Sequence, residues 1–490
     1  VRGDRIELSS DAIVRIEASR AIVDRALEGS DLVYGLNTGL GSMRNRRLPN
    51  EELVAYQEAI VGSHDGGFGP RLDAELVRAA MAVRVVGITR GGSGASLALA
   101  RTLVEMLNAR VHPAVPAIAS VGAADLGHMA AIGQVAVGRG WAELDGERMP
   151  GAEALRRAGI EPLHLAPKDG IAMISANGVS IGHGAVIVDR AAQLIDVADV
   201  ALAVSLEAIG GNPSIVDPVV ARAKGIAGQA VSADRIRWLL AGSARCAPGG
   251  ASSVQDPLSF RVGPQVHGAA REFVGLLGRA VEAELNASDD NPLVDIEAGR
   301  LVSNGNFHPM VLALALDAIR PAIAHVGQLS ERRMSHLWAS LMSAADVLLP
   351  SGMWRLTRDT RGILLRYAAA TRYSTLRALA DPVSLDVGPL DHGVEDHSTN
   401  APETARRTDE ALGVLADILA VELMLARAIL IDGSSRASLG RGTSAALDLI
   451  DAALAGIAPD APSDEAHAAV RTALLERLVP ALAGGAAAVP

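Results

Sequence analysis

Residues 119–130 read Ala-Ser-Val-Gly-Ala-Ala-Asp-Leu-Gly-His-Met-Ala, a run of small residues that leads into an apolar segment with helical spacing. Pro113 and Pro116 shortly precede this run, and proline disfavours helix on the approach. A helix is therefore predicted to begin at Asp125, whose carboxylate can cap the free N–H groups of the first turn. Small residues on a turn before a helix let the backbone approach a ligand closely, so the stretch predicts a ligand-binding turn.

The composition is that of a large, globular and helix-rich protein. Of 490 residues, 49% are hydrophobic, 21% are charged and only 2% are aromatic, and alanine, the strongest helix former, is abundant. The net charge of -11 argues against a nucleic-acid partner. The single cysteine, Cys246, excludes an internal disulfide and a cysteine-based zinc site. The histidines are scattered without paired ligand spacing, so no metal site is expected.

Cellular location is predicted from the apolar segments. The most apolar stretch, 185–210, carries Asp and Arg at helical spacing, which favours a buried core helix over a membrane span. The N-terminal residues contain no apolar signal core. These features predict a cytoplasmic protein without a membrane partner.

Helical periodicity dominates the chain, above all beyond residue 168. Candidate helices cover 11–27, 51–61, 74–88, 96–107, 171–188, 191–209, 232–241, 264–284, 309–329, 357–380, 401–432, 445–455 and 463–478. Short strands are predicted near 141–144 and 149. Many of these helices exceed the usual length of about 11–12 residues, and long helices favour a central bundle. The sequence thus predicts a mainly α protein with a smaller mixed N-terminal region, 1–190, and a helical bundle domain, 191–490.

Two segments before residue 70 carry side chains suited to acid–base chemistry. Residues 34–41 read Tyr-Gly-Leu-Asn-Thr-Gly-Leu-Gly, a flexible or tightly turned loop headed by Tyr34. The helix predicted over 51–61 is followed by Ser63 and His64. From the residues alone, Tyr34 can be a packing residue or an acid–base group, and His64 can be a helix cap or a functional group.

Three later segments are rich in polar residues. Residues 254–261 read Val-Gln-Asp-Pro-Leu-Ser-Phe-Arg, residues 303–308 read Ser-Asn-Gly-Asn-Phe-His, and residues 393–397 read Gly-Val-Glu-Asp-His. Glu395, in the last of these, can be an ordinary helix-end charge. With His64 it can also form an acid–base pair around a heterocycle.

Taken in their order along the chain, these segments and residues 119–130 resemble motifs of the aromatic amino acid ammonia-lyases, the family of histidases and phenylalanine or tyrosine ammonia-lyases. The resemblance implies the ammonia-lyase (fumarase/aspartase-like) fold. In that family a Ser-Val-Gly-Ala-Ser-Gly-Asp-Leu run cyclises at Ala-Ser-Gly into methylidene-imidazolone (MIO), an electrophile that activates the substrate's amine. Here the run lacks one residue, and no serine stands among Ala123, Ala124 and Asp125. This degenerate segment predicts that MIO is absent and that no cofactor is used.

The resemblance also implies roles for individual side chains. Tyr34 would be the base, carried on a mobile inner loop. Ser63 and His64, together with Glu395, would face an imidazole-type ring, as in histidases. Arg261 would hold the substrate carboxylate in a fork-like pair. The other implied site residues are Asn306, which would assist Arg261, Gln255 and Phe307, which would line the pocket, and two departures, Leu258 in place of the family's second catalytic tyrosine and Ser175 in place of an asparagine near the electrophile.

Loss of MIO with retention of the base and the carboxylate clamp predicts a substrate whose amine already leaves easily. A quaternary trimethylammonium does so because it departs as neutral trimethylamine. Histidine betaines such as ergothioneine or hercynine combine that leaving group with an imidazole-type ring and a carboxylate. Ergothionase-type lyases, which look like ammonia-lyases without the electrophile, are the nearest precedent. The expected reaction is a cofactor-free 1,2-elimination.

Two other functions stay open at the level of sequence. The scaffold could catalyse addition, cyclisation or isomerisation of a biosynthetic intermediate with the same tyrosine, which a charged, non-aromatic substrate would favour. It could also be a catalytically inactive, ammonia-lyase-like binding protein. The resemblance further implies a small-molecule carboxylate as substrate and a homotetramer with active sites built from three chains.

Overall fold

The computed structural model describes residues 3–247, 249–344, 349–385, 387–431 and 436–478, and within them the protein is mainly helical, as predicted. The α-helices are α1 (Ser10–Glu28), α2 (Leu53–His64), α3 (Ala74–Thr89), α4 (Leu97–Asn108), α5 (Leu126–Ala136), α6 (Gly151–Ala158), α7 (Asp169–Ile174), α8 (Gly178–Ile209), α9 (Pro218–Lys224), α10 (Ala227–Leu239), α11 (Leu258–Arg261), α12 (Gly263–Leu285), α13 (Met310–Ala344), α14 (Pro350–Thr360), α15 (Leu365–Leu379), α16 (Ala401–Ile429), α17 (Arg441–Ala455) and α18 (Ser463–Ala473). Shorter helical turns lie at Gly41–Met43, Asn50–Glu52, Pro213–Val216, Asp391–Gly393 and Leu474–Leu478.

The strands are short and pair antiparallel. They are β1 (Phe68–Arg71), β2 (His112–Pro113), β3 (Pro116–Ile118), β4 (Trp141–Leu144), β5 (Glu147–Pro150), β6 (Leu293–Asp295) and β7 (Arg300–Val302). Among the described residues they form a β1-β3 pair, a β2-β4-β5 sheet and a β6-β7 pair. The two predicted strands, β4 and β5, are confirmed, whereas the other described strands, of two to four residues each, were not predicted.

Two predicted helix boundaries are wrong. The break expected near residue 190 lies at Ser175, whose ψ of 63° ends α7, and α8 then continues through residues 189 and 190. The helix predicted over 357–380 is two helices, because Arg361 and Gly362 have left-handed φ values of 58° and 152°. The last position of the helix predicted over 401–432 lies outside the described residues.

Asp125 caps a different helix from the one predicted. It precedes α5 as expected, yet its side chain makes no capping bond to the first turn of α5. Its carboxylate instead accepts hydrogen bonds from the N–H and the hydroxyl of Ser180, at 2.7 and 2.8 Å, in the first turn of α8. Burial raises the pKa of Asp125 to about 6 in spite of these bonds. The turn before α5 is thereby fixed to the start of α8.

The chain divides into two compact units, each assembled from separate stretches. Unit 1 comprises Val1–Ile187, Leu277–Leu316 and Pro382–Arg406, and unit 2 comprises Val188–Leu276, Asp317–Asp381 and Arg407–Pro490. The sequence predicted one division near residue 190, and the first boundary lies close to it. Two later stretches nevertheless belong to unit 1, because several boundaries fall inside long helices that contribute residues to both units.

Each unit has its own buried interior. In unit 1, helices α2 to α5 and α7 supply a core that includes Ile60, Met81, Leu103, Met129 and Met173. In unit 2, three long helices are joined by a buried ion pair in which Arg333 of α13 binds Glu422 of α16 through two hydrogen bonds of 2.6 and 2.8 Å. Ser205 of α8 donates a third bond of 2.7 Å to the same carboxylate.

Two helical stretches pass a test of length and hydropathy for membrane spans. They are Asp169–Ile209 and Met310–Ser343, and 83% and 56% of their most apolar windows are buried inside the protein. Core helices of globular proteins pass the same test, so these stretches are weak support for a membrane span.

Candidate active site

A cavity of about 830 Å³ lies in unit 1 and gathers most of the predicted site residues. Its walls come from the loop after Tyr34, the C-terminal part of α2, the turn before α5, the end of α7 and the loops around residues 305 and 395. The predicted site residues that line it are Tyr34, Ser63, His64, Ala123, Ala124, Ser175, Phe307 and Glu395. Segments far apart in sequence therefore converge on one space.

Tyr34 lies in the wall with its phenol oxygen accepting a hydrogen bond of 3.1 Å from the N–H of Gly41. Burial raises the pKa of Tyr34, and the negative charges of Glu395 and Asp391 raise it further. The Gly41 hydrogen bond and the positive charge of Arg44 act in the opposite direction. Tyr34 is therefore a protonated phenol at neutral pH.

Tyr56 is a second phenol in the same wall and was not predicted from the sequence. Its oxygen accepts a hydrogen bond of 3.2 Å from the N–H of Leu40, and burial raises its pKa. A sequence signal existed, because Tyr56 and Ser63 are seven residues apart on α2 and so share one helix face.

His64 ends α2 with its ring held against the helix. Its Nδ1 lies 2.8 Å from the carbonyl oxygen of Ile60 and 3.2 Å from the Ser63 hydroxyl. A carbonyl oxygen only accepts hydrogen bonds, so the neutral ring carries its proton on Nδ1 and leaves the Nε2 lone pair available. Burial and Asp391 raise the pKa of Glu395, and the charge of His64 opposes them. His64 therefore influences the ionisation of Glu395, and the role of the two residues as an acid–base pair stays a prediction.

A pair of histidines also lines the cavity. His308 Nε2 and His397 Nδ1 are 2.8 Å apart, and their ring centroids are 5.0 Å apart. Burial and the neighbouring His397 lower the pKa of His308. His308 ends the polar segment 303–308 and His397 ends the segment 393–397, but their spacing of 89 residues gave no indication that they meet. No group of three or more His, Cys, Asp or Glu side chains that could hold a metal ion occurs in the part of the chain that the structure describes.

The charge and ring content of the cavity favour a cation. Asp391, Glu395 and Asp396 contribute carboxylates, whereas Arg44 is the sole Arg or Lys among the described lining residues. Three aromatic rings, Tyr34, Tyr56 and Phe307, lie in the same walls although only 2% of the chain is aromatic. Carboxylates and aromatic faces together attract ammonium groups, including quaternary ones.

The turn at Ala123, Ala124 and Asp125 does not fit a group made by dehydrating a serine. None of the three carries a hydroxyl, and the nearby Ser120 hydroxyl donates 2.6 Å to the carbonyl oxygen of Ala124. The N–H of Ala124 donates to the carbonyl oxygen of Phe307 and the N–H of Asp125 to that of Ala176, both at 2.9 Å. The backbone nitrogens here are thus held in ordinary hydrogen bonds. Asp125 is fully buried and is not among the lining residues.

Four of the predicted site residues, Gln255, Leu258, Arg261 and Asn306, are not among the residues that line this cavity. Gln255, Leu258 and Arg261 belong to unit 2, where Arg261 donates a 2.8 Å hydrogen bond to the Gln255 side chain and Leu258 is 61% exposed. In unit 1, Asn306 lies between two lining residues, but its amide donates to the carbonyl oxygen of Ser288 at 3.3 Å. The roles of these four residues stay predictions.

The chain belongs to the aromatic amino acid lyase family, which it matches over residues 1–452. Histidine ammonia-lyase of Gloeobacter violaceus is 35% identical over 465 residues, covering 94% of this chain and 89% of the relative. The predicted family and fold are confirmed, and the protein is a lyase by family.

Solved structures agree with this assignment. Ergothionase from Treponema denticola, in complex with desmethyl-ergothioneine sulfonic acid, matches with a TM-score of 0.89 and 26% identity over 97% of this chain and 96% of its own. Histidine ammonia-lyase from Trypanosoma cruzi matches with a TM-score of 0.87 and 28% identity over 99% and 92% of the two chains. The similarity thus extends over nearly the whole length of the protein.

Proposed function

We propose that this protein is a lyase that works without MIO and eliminates trimethylamine from a histidine-derived betaine such as ergothioneine or hercynine. The observation that carries the proposal is the cavity itself, in which carboxylates and aromatic rings surround Tyr34 while the turn at Ala123 and Ala124 offers no serine. Similarity to an ergothionase over nearly the whole chain supports the same substrate class.

The elimination needs one base and a good leaving group. The phenolate of Tyr34 takes the proton from Cβ, the C–H electrons form the Cα=Cβ double bond, and the Cα–N bond breaks with its electron pair leaving on neutral trimethylamine. The products are an acrylate that bears the heterocycle, trimethylamine, and a protonated Tyr34 that returns its proton to water. No electrophile is required, because the nitrogen carries a full positive charge before the bond breaks.

Binding of the cation would itself activate the base. A trimethylammonium group near Tyr34 would stabilise the phenolate and offset Asp391 and Glu395, the charges that raise its pKa. His64 and Glu395 would orient and polarise the substrate ring, with the free Nε2 of His64 accepting a ring N–H.

The carboxylate clamp would be supplied by assembly. Arg261, with Asn306 and Gln255, would bind the substrate carboxylate in a cytoplasmic homotetramer whose active sites combine residues from several copies. Leu258 stands in unit 2 without a proton to donate, which leaves Tyr34 as the single catalytic phenol in this scheme.

The deciding experiment incubates the purified protein with ergothioneine, hercynine and histidine in turn. Mass spectrometry measures trimethylamine, ammonia and the conjugated acid. Trimethylamine from a betaine, without ammonia from histidine, is the expected result. Ammonia from histidine would contradict MIO independence. Lack of any product would shift the proposal to the alternative, a cofactor-free addition, cyclisation or isomerisation, which the charged groups of the cavity also favour, or to a binding protein.

The rate of elimination is expected to rise with pH. Burial holds the pKa of Tyr34 above its usual value near 10, so below that pH each unit increases the phenolate fraction about tenfold. The logarithm of kcat/KM should therefore climb with a slope near one between about pH 7 and 9. The corresponding rise in kcat should lie at lower pH, because the bound cation stabilises the phenolate. Steady-state rates with ergothioneine across this range measure both, and a flat kcat/KM would exclude Tyr34 as the base.

A further inference from the structure

The turn at residues 391–393 has an uncommon backbone. Asp391, His392 and Gly393 have φ values of 43°, 56° and 81°, so three consecutive residues are left-handed and only the last is glycine. The turn is closed by backbone hydrogen bonds of 2.8 and 3.3 Å between Leu390 and Glu395. Non-glycine residues adopt such values only where surrounding contacts require it, and these positions concentrate at functional sites.

This turn brings Asp391 against the loop that carries Tyr34. One carboxylate oxygen of Asp391 accepts a 2.7 Å hydrogen bond from the N–H of Ser42. The neighbouring Gly41 is left-handed, with φ of 53°, and a Cβ at that position would lie 1.9 Å from the same oxygen. A side chain at position 41 would clash with this carboxylate, so the contact between the loop and the turn depends on glycine at that position.

Two adjacent N–H groups of the loop point at two functional oxygens. The N–H of Ser42 donates to Asp391, and the N–H of Gly41 donates to the phenol oxygen of Tyr34 at 3.1 Å. The two N–H groups flank the Cα of Gly41, where the chain can rotate about φ and ψ, so a hydrogen bond that holds the Ser42 N–H restricts the rotation that would carry the Gly41 N–H away from Tyr34. We propose that Asp391 is a positioning residue, whose carboxylate anchors Ser42 and so holds the Gly41 N–H on the oxygen of the base.

The charge of Asp391 acts against its own anchoring effect. The charged side chains that act on Tyr34 are the carboxylates of Glu395 and Asp391 and the guanidinium of Arg44. Tyr34 in turn raises the pKa of the neighbouring Tyr56. The Asp391 charge disfavours the phenolate, whereas the N–H that it positions favours it. A neutral residue at position 391 that still accepts the Ser42 N–H should therefore give Tyr34 a different pKa from a neutral residue that cannot accept it.

This inference rests on the proposed role of Tyr34, but its test needs no substrate. The protein contains four tyrosines, so labelling tyrosine Cζ with carbon-13 gives a simple NMR spectrum in which Tyr34→Phe assigns the Tyr34 signal. Titration between about pH 8 and 11 then reports ionisation of this phenol directly. The variants are Asp391→Asn, whose amide oxygen can still accept the Ser42 N–H, and Asp391→Ala, which cannot. Asp24→Asn removes one surface carboxylate of the same unit and serves as the control.

The titration midpoints of Tyr34 in the variants should follow an order that depends on the hydrogen bond between Asp391 and Ser42. Asp391→Asn should titrate at lower pH than the wild type, and Asp391→Ala should titrate at higher pH than Asp391→Asn. Equal midpoints in the two Asp391 variants would overturn the positioning role. If the alanine variant does not fold, Asp391→Gly takes its place, because glycine is uncharged, tolerates the left-handed φ and cannot accept the Ser42 N–H. A midpoint equal to that of Asp391→Asn would again overturn the positioning role. Failure of ergothioneine turnover in the wild type would leave these outcomes unaffected and would instead contradict the proposed function.

Discussion

Replacing Tyr34 with phenylalanine is expected to lower kcat for trimethylamine release by about 10²–10⁴-fold, the contribution of a positioned general base. The substitution removes only the phenol oxygen, which accepts the Gly41 N–H. The aromatic ring stays in the wall and can still contact a quaternary ammonium, so KM should change far less than kcat. Steady-state kinetics with ergothioneine and mass spectrometry of the products measure the two constants separately.

Tyr56→Phe is the matched control for this substitution. Its phenol oxygen also accepts one backbone N–H, that of Leu40 at 3.2 Å, and it lines the same cavity. Any loss of activity from removing a loop hydrogen bond should therefore appear in both variants at similar size. A comparable fall in kcat for the two, or undiminished turnover by Tyr34→Phe, would contradict the assignment of Tyr34 as the base.

Short sequence motifs predicted those features of the protein that depend on a few neighbouring residues. The loop headed by Tyr34, the Ser63-His64 end of α2 and the Glu395 segment each have a recognisable order of residues, and all three line one cavity. The family and its fold followed from the same motifs and are confirmed. The catalytic and binding roles assigned to these residues stay predictions.

Contacts between segments that lie far apart in the chain could not be predicted from sequence motifs. Asp391 is significant because its left-handed backbone brings it against Gly41, 350 positions away, and no local pattern encodes that approach. The pairing of His308 with His397 depends in the same way on how two loops meet. The capping role of Asp125 was assigned to α5 because α5 follows it in sequence, whereas the N–H that its carboxylate accepts belongs to Ser180 in α8.

Removing Arg84 of α3 is expected to have the largest effect on stability. Its guanidinium is fully buried and binds Asp290 at 2.8 Å and Asp289 at 3.4 Å, both almost completely shielded from solvent. Arg84→Met would remove the guanidinium that pairs with two buried carboxylates, which costs about 3–5 kcal/mol when one partner of a buried pair is removed. Urea unfolding at fixed protein concentration should show a clearly lower midpoint.

Arg156→Met is the control, because Arg156 also binds a carboxylate, Glu153 at 2.7 Å, but is 71% exposed. Water solvates the Glu153 carboxylate that is left behind, so the urea midpoint of Arg156→Met should shift much less.

At acid pH, the difference in urea midpoint between Arg84→Met and the wild type should become smaller. Burial raises the folded-state pKa of Asp289 to about 6, and Arg84 opposes that rise, so the variant's Asp289 should bind a proton at still higher pH. Protonation in the folded state favours folding as the pH falls through that pKa, and an undiminished difference at about pH 5.5 would contradict this electrostatic origin.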